Sequence, residues 1–283
     1  MDYLKIINQG SKILKANNIK SYILDSEILL STILNVDRSQ LLINLKKKIK
    51  TKEKKIYFKY ISRREKNEPI AYISGFKEFW KNKFKVNKNV LIPRPDTEIL
   101  VEQALKCLDV DAKKNILDIG TGSGCIIISI LKDRKKSTGV GVDLSKNAIK
   151  LAKYNAKIQH IQDRIKFFNS DIDNFYYGKY GKYDLIVSNP PYIKLHRINC
   201  LEDDIKKYEP KIALNGGVDG FSKIRLVIIK SSTLLKKKGK LVLEVGLNQT
   251  RVTLKILKNN GFYPNKICKD LANNNRCIVS TKI

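Results

Sequence analysis

From Asn115 to the end of the chain, short apolar runs typical of β-strands alternate with amphipathic patterns typical of α-helices. A parallel strand can pair only after a crossover along one face of the sheet, and a helix usually supplies it. The predicted strands lie at 115–119, 138–143, 166–170, 183–188, 240–245, near Ile267 and at 277–281. The predicted helices lie near 126–132, 145–156, 221–235 and 249–260. This pattern predicts an α/β fold with a doubly wound, mostly parallel, seven-stranded sheet covered by helices on both faces.

The first 68 residues carry a different pattern, in which apolar residues recur at helical spacing among many lysines. Paired asparagines near residue 17 separate two such stretches, and a third long helix is predicted over 51–67. We therefore expect a small all-helical domain over 1–68.

After Pro69 the apolar residues fall in short runs separated by turn residues, which predicts β-strands. These runs lie at 71–73, 79–80, 84–86 and 90–91. We expect a β-hairpin linker over 69–95 and the α/β domain over 96–283. An amphipathic helix is predicted over 99–108, with Asp96 or Thr97 as its N-terminal cap.

The length and composition of the chain indicate a globular protein rather than a membrane protein. The 283 residues suffice for one large and one small domain, and 42% hydrophobic with 29% charged residues describes a soluble globular chain. No apolar run approaches the roughly 20 residues that span a bilayer, and the N-terminus lacks a signal-peptide pattern. We expect a cytoplasmic protein with no membrane partner.

The cysteines and histidines of the chain do not suggest a metal site or a catalytic triad. The five cysteines are scattered, without the spacing of metal-ligand pairs, and the chain has only two histidines. A zinc site or a Ser/His/Asp triad is therefore disfavoured, and we expect no metal.

The formal net charge of +29 is large enough to suggest a nucleic-acid partner. However, the charge is mostly lysine, it is spread along the whole chain, and it accompanies abundant asparagine and isoleucine. That pattern also fits an AT-rich coding sequence that drifts toward lysine codons. Charge alone leaves both interpretations open.

A glycine-rich segment, Gly-Thr-Gly-Ser-Gly at 120–124, joins the first predicted strand of the sheet to a helix. Glycines let the backbone approach a ligand closely, and a helix N-terminus offers free N–H groups. Cys125 stands where a dinucleotide-binding fingerprint needs its last glycine, which disfavours NAD. Asp143 ends the next strand, placed to accept hydrogen bonds from ribose hydroxyls. Asp171 follows the third strand beside the same rim.

The predicted strand 183–188 is followed by Asn189-Pro190-Pro191-Tyr192. Proline fixes φ and has no N–H to donate, so the strand must end in a rigid loop. Asn189 can both accept and donate there in a fixed direction, at the sheet edge where ligands bind. Taken alone, the segment could equally be a structural turn.

Together, the glycine loop, the two acids and Asn-Pro-Pro-Tyr resemble the class I S-adenosylmethionine-dependent methyltransferases. The resemblance implies a Rossmann-like fold with S-adenosylmethionine as cofactor, its ribose held by Asp143 and its adenine flanked by Asp171 and Ile172. Ile172 departs from the aromatic residue that some relatives carry. The residues implied to border the methionine part are Gly120, Thr121, Gly122, Ser123 and Gly124. Asn189 completes the cofactor-binding set.

Asn-Pro-Pro-Tyr narrows the methyl acceptor to a planar nitrogen, such as an amide or an exocyclic amine. Its delocalised lone pair makes such a nitrogen a poor nucleophile, so the protein must orient it rather than ionise it. The Asn189 side-chain oxygen and the Pro190 carbonyl can accept both N–H bonds, and Tyr192 can cover the flat face. We expect Asn189, Pro190 and Tyr192 to be catalytic, with Pro191 also contacting the substrate.

Longer segments resemble the release factor glutamine methyltransferases, which methylate the glutamine of Gly-Gly-Gln in peptide chain release factors. The resemblance covers the helical domain and the segments 69–75, 79–80, 93–98, 189–193 and 213–220. Pro-Arg-Pro-Asp-Thr-Glu at 93–98 is the most specific, although relatives often carry Glu at Asp96. The resemblance implies substrate contacts from Arg94 and Glu98; a helix cap with surface charges is the alternative for these two.

By this resemblance the chain is a protein-(glutamine-N5) methyltransferase. Its partners are release factors, docked by residues 1–68, and we expect a monomer with no obligatory nucleic acid. The alternative is an amino-methyltransferase acting on adenine or guanine of nucleic acid, favoured by the +29 charge. A non-catalytic cofactor-binding scaffold conflicts with the intact Asn-Pro-Pro-Tyr.

Overall fold

A computed structural model of the chain describes residues 1–176 and 182–283. The chain forms two compact units. The first comprises Met1–Phe76 with Glu202–Tyr208, and the second comprises Lys77–Leu201 with Glu209–Ile283. In the described ranges, no helix combines the length and the apolar character needed to cross a membrane.

The first unit is built from helices, as the sequence predicts. They are α1 (Tyr3–Ala16), α2 (Tyr22–Leu34), α3 (Arg38–Ile43), α4 (Thr51–Arg64), α5 (Ile70–Ser74) and α9 (Asp203–Tyr208). Asp2 caps α1 by accepting a 2.8 Å hydrogen bond from the amide of Lys5. The core contains the fully buried side chains of Ile6, Leu14, Leu29 and Tyr57.

The predicted strand at 71–73 is wrong, because these residues lie in helix α5. Pro69 stands at the N-cap and Gly75 ends the helix in the left-handed conformation, with φ +81°. Three consecutive apolar residues carry no periodicity, so the flanking Pro and Gly were the better signal.

A β-hairpin of β1 (Phe76–Phe79) and β2 (Asn82–Lys85) starts at the last residue of the Met1–Phe76 segment and lies otherwise in the second unit. The hairpin is present as predicted, and its turn lies at Trp80 and Lys81. The predicted run at 90–91 forms no strand.

The large sheet has the order β5-β4-β3-β6-β7-β9-β8, in which β9 runs antiparallel to β7 and β8 and the other neighbouring strands are parallel. Its strands are β3 (Asn115–Ile119), β4 (Thr138–Asp143), β5 (Ile165–Asn169), β6 (Tyr183–Ser188), β7 (Leu235–Glu244), β8 (Phe262–Lys269) and β9 (Asn275–Lys282). The accompanying helices are α6 (Glu98–Lys106), α7 (Cys125–Asp133), α8 (Lys146–Ile158), α10 (Ser222–Leu234) and α11 (Thr250–Asn259). The predicted seven-stranded, doubly wound sheet is confirmed.

Each face of this sheet has its own apolar core. Ile116 belongs to the core that contains residues of α6, α7 and α8, whereas Leu117 belongs to the core that contains residues of α10 and α11. Successive side chains of a strand point to opposite faces, so a central strand is apolar along most of its length. With both faces covered, the carboxyl edge of the parallel strands is left for polar loops and ligands.

Candidate functional site

The glycine loop 120–124 connects β3 to α7. The amides of Gly120 and Thr121 donate to the carbonyl of Val142 at 2.9 and 3.0 Å, which holds the loop against the end of β4. Gly120 and Gly122 have φ of +75° and +56°, and no atom lies within 4 Å of the position that a Cβ would take. Both glycines therefore leave bare backbone next to open space.

Gly124 is the one residue of the glycine loop that is not among the residues lining the cleft described below. A Cβ there would stand 2.9 Å from Cδ1 of Ile128 and 3.3 Å from Cβ of Ala152. The glycine at this position allows close packing of α7 on α8.

Asp143 lies at the carboxyl end of β4, where its two oxygens bind two different loops. Oδ2 accepts a 2.8 Å hydrogen bond from the amide of Gly122, and Oδ1 accepts one of 2.8 Å from the amide of Ser145. Burial raises the pKa of Asp143, and the two N–H groups oppose this by favouring the carboxylate. Each oxygen keeps a further lone pair, so the carboxylate can still accept hydroxyl groups of a ligand.

Asp118, in β3, is a buried acid beneath the glycine loop. The Thr121 hydroxyl donates a 2.7 Å hydrogen bond to its Oδ2, whereas Oδ1 has no hydrogen-bond partner among the described residues. Burial raises the pKa of Asp118 to about 7. The glycine loop is therefore held, through the Thr121 hydroxyl, by a carboxyl group whose pKa lies near neutrality.

A cleft opens at the carboxyl edge of β3, β4 and β6, within the second unit. The predicted residues that line it are Gly120, Thr121, Gly122, Ser123, Asp143, Asp171, Ile172, Asn189, Pro190, Pro191 and Arg94. Ile172 is buried, and Asp171 accepts a 3.1 Å hydrogen bond from the amide of Asp173. The structure therefore brings together two motifs that lie about 70 residues apart in the chain.

Asn189 enters the cleft from the end of β6. The preceding residue, Ser188, donates a 2.7 Å hydrogen bond to the carbonyl of Ile119, which fixes the start of the loop to β3. The Asn189 Nδ2 donates to the Thr97 hydroxyl oxygen at 3.1 Å. This contact leaves Oδ1 as the acceptor for a ligand in the cleft.

A second segment backs the Asn-Pro-Pro-Tyr loop. Ile193 donates to the carbonyl of Leu214 at 3.1 Å and accepts from the amide of Gly216 at 2.8 Å. A Cβ on Gly216 would stand 2.7 Å from the Cα of Tyr192, so only glycine allows this approach.

Gln249 locks the same loop from the other side. Its Nε2 donates to the carbonyls of Tyr192 and Gly220 at 3.1 and 3.0 Å, and its Oε1 accepts from the amide of Gly246 at 2.9 Å. One buried side chain thereby ties together three loop segments.

Tyr192, predicted to cover the substrate, is not among the residues that line the cleft. Its ring packs against the core that includes α10 and α11, and its hydroxyl donates a 3.2 Å hydrogen bond to Oε1 of Glu244. Glu244 ends β7 and is almost fully buried, which raises its pKa to about 7. Tyr192 therefore supports the loop from behind.

Arg94 and Glu98 lie in different surroundings. Arg94 lines the cleft and forms an ion pair with Glu209, whose carboxylate is buried. Glu98 lies outside the cleft, where its Oε1 accepts a 2.7 Å hydrogen bond from the amide of Trp80. This hydrogen bond anchors the hairpin to α6, and the substrate contact of Glu98 stays a prediction.

Thr97 is the N-cap residue of helix α6, one of the two predicted positions, but its side chain makes no capping hydrogen bond. Its hydroxyl oxygen accepts from Asn189. Asp96 pairs with Arg276 at 3.3 Å. Over the part of the chain that is described, no group of three or more His, Cys, Asp or Glu residues is arranged to hold a metal ion.

Comparison with known proteins agrees with this geometry. Residues 5–75 match the model of the PrmC N-terminal domain, and residues 96–205 match that of the methyltransferase small domain. A release factor glutamine methyltransferase of Clostridium acetobutylicum is 40% identical over 270 residues, covering 95% of each chain. The chain belongs to the release factor glutamine methyltransferase family.

A release factor glutamine methyltransferase of Fusobacterium nucleatum is 38% identical, over 99% of this chain and 78% of its own. Among solved structures, a methyltransferase from Pyrococcus furiosus superposes with a TM-score of 0.52 at 15% identity, covering 70% of this chain and 88% of its own. That likeness concerns the fold, which is the class I methyltransferase fold of the family.

Three residues that position the loop were not predicted from the sequence of this family member: Thr97 as a partner of Asn189, Glu244 and Gln249. Thr97 lies 92 residues from Asn189, and Glu244 lies 52 residues from Tyr192. For two of them the sequence position is a partial indication. Glu244 and Gln249 come after the apolar run of β7, at the same carboxyl edge of the sheet where Asp143 ends β4.

Proposed function

We propose that the chain transfers a methyl group from S-adenosylmethionine to the side-chain nitrogen of glutamine in the Gly-Gly-Gln motif of peptide chain release factors. The observation that carries this proposal is the hydrogen bond between Asn189 and Thr97. It joins the loop suited to a planar nitrogen to the Pro-Arg-Pro-Asp-Thr-Glu segment, the most family-specific stretch of the sequence.

The cleft fits the cofactor. The bare backbone at Gly120 and Gly122 leaves room for the methionine part, and the Asp143 carboxylate can accept the ribose hydroxyls. Ile172, which is buried on the cleft wall, offers an apolar surface for the adenine. When bound, S-adenosylmethionine supplies an electrophilic methyl group.

The residues of the chain orient the acceptor nitrogen. Asn189 Oδ1 and the Pro190 carbonyl would each accept one N–H of the glutamine amide, which aims the nitrogen at the methyl group. The nitrogen would form a bond to the methyl carbon as the S–CH3 bond of the sulfonium breaks and leaves a neutral thioether, and it would lose one proton to water. Because catalysis depends mainly on the orientation of the glutamine nitrogen, this scheme requires no strong base. This agrees with a chain that has only two histidines.

The first unit is proposed to dock the release factor away from its glutamine. It carries none of the residues that line the cleft, and its lysines at 46–48 are exposed. Docking of this kind predicts a much lower KM for the intact factor than for a short peptide that contains Gly-Gly-Gln. Equal KM values would reduce the first unit to a stabilising role.

Methylation of nucleic acid is the second candidate, and the +29 charge favours it. Incubating the protein with labelled S-adenosylmethionine and a cell extract distinguishes the two candidate functions. We expect the label to survive nuclease and to be released by protease. Label that nuclease removes would favour the second candidate.

A further inference from the structure

Helix α8 carries a row of lysines on the side that faces solvent. Its 13 residues include no acid, and its basic residues are Lys146, Lys150, Lys153 and Lys157. At about 100° per residue, these four positions fall within an arc of about 60° on the helix surface. All four are exposed, whereas the opposite side of α8 is buried in the core of the second unit. At about 1.5 Å per residue, the row is about 17 Å long.

The row does not stabilise the helix that carries it. Like charges three or four residues apart on a helix repel each other, and Lys146, in the first turn, opposes the helix dipole. Among the described residues, none of the four lysines forms an ion pair. Lysines of α6 and α9, by contrast, pair with Glu102 and Asp203 in their own helices. The charges of the α8 row are therefore available to an anion from outside the chain.

A groove lies beside the row, between α8 and β5, which is an edge strand of the sheet. Its lining includes Lys153 and Lys157 of α8 together with Lys166 and Phe168 of β5. Tyr154 is 48% exposed and lies three residues before Lys157, so helical spacing places its ring next to the row. Basic and aromatic side chains thus share one face of the second unit.

This combination fits a single strand of nucleic acid. In proteins that hold such strands, cations follow the phosphates and aromatic rings stack on the unpaired bases. An acidic protein would fit less well, because protein surfaces intersperse charges of both signs, and it has no base to stack on Tyr154. Unpaired bases are the part of RNA that proteins most often recognise.

We propose that the α8 face, which comprises the lysine row, Tyr154 and the groove, binds a single strand of RNA that is not the methyl acceptor. Ser145 lines the cofactor cleft, so the row starts at the rim of the cleft. It then leads away from the cleft to Lys157, which lines the groove together with Ile165, the first residue of β5. This inference goes beyond the function proposed above and does not depend on it.

Fluorescence anisotropy with a labelled oligouridylate tests the proposal, because uracil has no exocyclic amine to accept a methyl group. The test variant combines Lys150→Gln, Lys153→Gln and Lys157→Gln. We expect its RNA affinity at low salt to fall at least about tenfold. The slope of log affinity against log salt should become shallower by about 2, since each contact with a phosphate of a single strand contributes about 0.7. An unchanged affinity and slope would overturn the proposal.

Helix α11 provides a matched control. Arg251→Gln, Lys255→Gln and Lys258→Gln together also remove three exposed charges at helical spacing, but α11 packs on the other face of the sheet. This variant should bind RNA within about twofold of the wild type. Because the replaced side chains are exposed, both variants should keep the circular dichroism of the wild type. An equal loss of affinity in both variants would mean that binding reflects net charge alone, and would overturn the α8 face as the site.

Two further measurements identify the partner. Tyr154→Leu should weaken RNA binding at least about fivefold, the loss expected when a base loses its stacking partner, without changing the salt slope. Polyglutamate should displace the RNA poorly. Unchanged RNA binding in Tyr154→Leu would overturn RNA as the partner, and so would polyglutamate that competes as well as RNA, which would indicate an acidic protein. These measurements use neither S-adenosylmethionine nor a release factor, so their failure is distinct from a failure of the proposed function.

Discussion

The amide of Gly122 donates a 2.8 Å hydrogen bond to the carboxylate of Asp143, 21 residues further along the chain. The same carboxylate accepts from Ser145, so the loops after β3 and β4 are fixed to each other by one side chain. Hydrogen bonds within the chain therefore fix these two loops of the cleft, which lowers the ordering cost of binding.

Asp143→Asn tests this arrangement. Replacing one oxygen by an NH2 group sets a donor against a backbone N–H and removes an acceptor for the ribose. We expect S-adenosylmethionine binding to weaken by about 1–3 kcal/mol, the range for a hydrogen bond to a charged group. Calorimetry measures this, with the exposed Asp163→Asn as control. Equal affinities for both variants would refute the assignment.

Gly122→Ala and Gly261→Ala form a matched pair. Both glycines have positive φ and open space around a Cβ, so both substitutions should cost about 1–2 kcal/mol of stability from backbone strain alone. Only Gly122 lines the cleft. Cofactor affinity should therefore fall in Gly122→Ala and stay unchanged in Gly261→Ala. A Gly122→Ala protein that binds normally would show that the ligand does not approach this backbone.

The strand bounds could be predicted closely because the sheet is buried on both faces. β3, β4 and β6 begin and end where the apolar runs do, since a polar residue inside a two-sided core is costly. β7 starts earlier than predicted, at Leu235, because its first residues are mostly lysines at the exposed end of the sheet. Apolar pattern alone cannot reveal such an extension.

The site was predictable where its chemistry is local. The glycine loop and Asp143 can be recognised from spacing, and both line the cleft. The side-chain partner of Thr97 could not be predicted, because it lies 92 residues away in the chain. The glutamate of the same segment similarly binds Trp80, which belongs to the hairpin. Such pairings depend on tertiary structure.

Gln249→Ala tests the support of the catalytic loop. It leaves two carbonyls and one amide without their partner, so we expect unfolding free energy to fall by about 1–3 kcal/mol and turnover to fall with it. Gln249 lines no part of the cleft among the described residues, so cofactor affinity should change little. Chemical denaturation and calorimetry check both points. Gln162→Ala, at an exposed position, is the control. Equal unfolding free energies for Gln249→Ala and Gln162→Ala would mean that the hydrogen bonds of Gln249 contribute nothing to stability.

Asp118→Asn tests the buried acid under the glycine loop. The pKa of Asp118 is raised from 3.8 to about 7, so the folded state binds this proton more tightly than the unfolded state. Its contribution to stability is therefore full at low pH and is lost as pH rises between these two values. Relative to wild type, Asp118→Asn should gain unfolding free energy across this window. A difference that is constant with pH would contradict the shift.

The most direct test of the account is mass spectrometry of a release factor incubated with S-adenosylmethionine and either the wild-type chain or Asn189→Ala. The wild type should add one methyl group to the glutamine of Gly-Gly-Gln. Asn189→Ala should do so more slowly by a factor on the order of 10², as when a preorganised hydrogen-bond partner is lost. An unmodified glutamine with the wild type, or an equal rate with Asn189→Ala, would contradict the account.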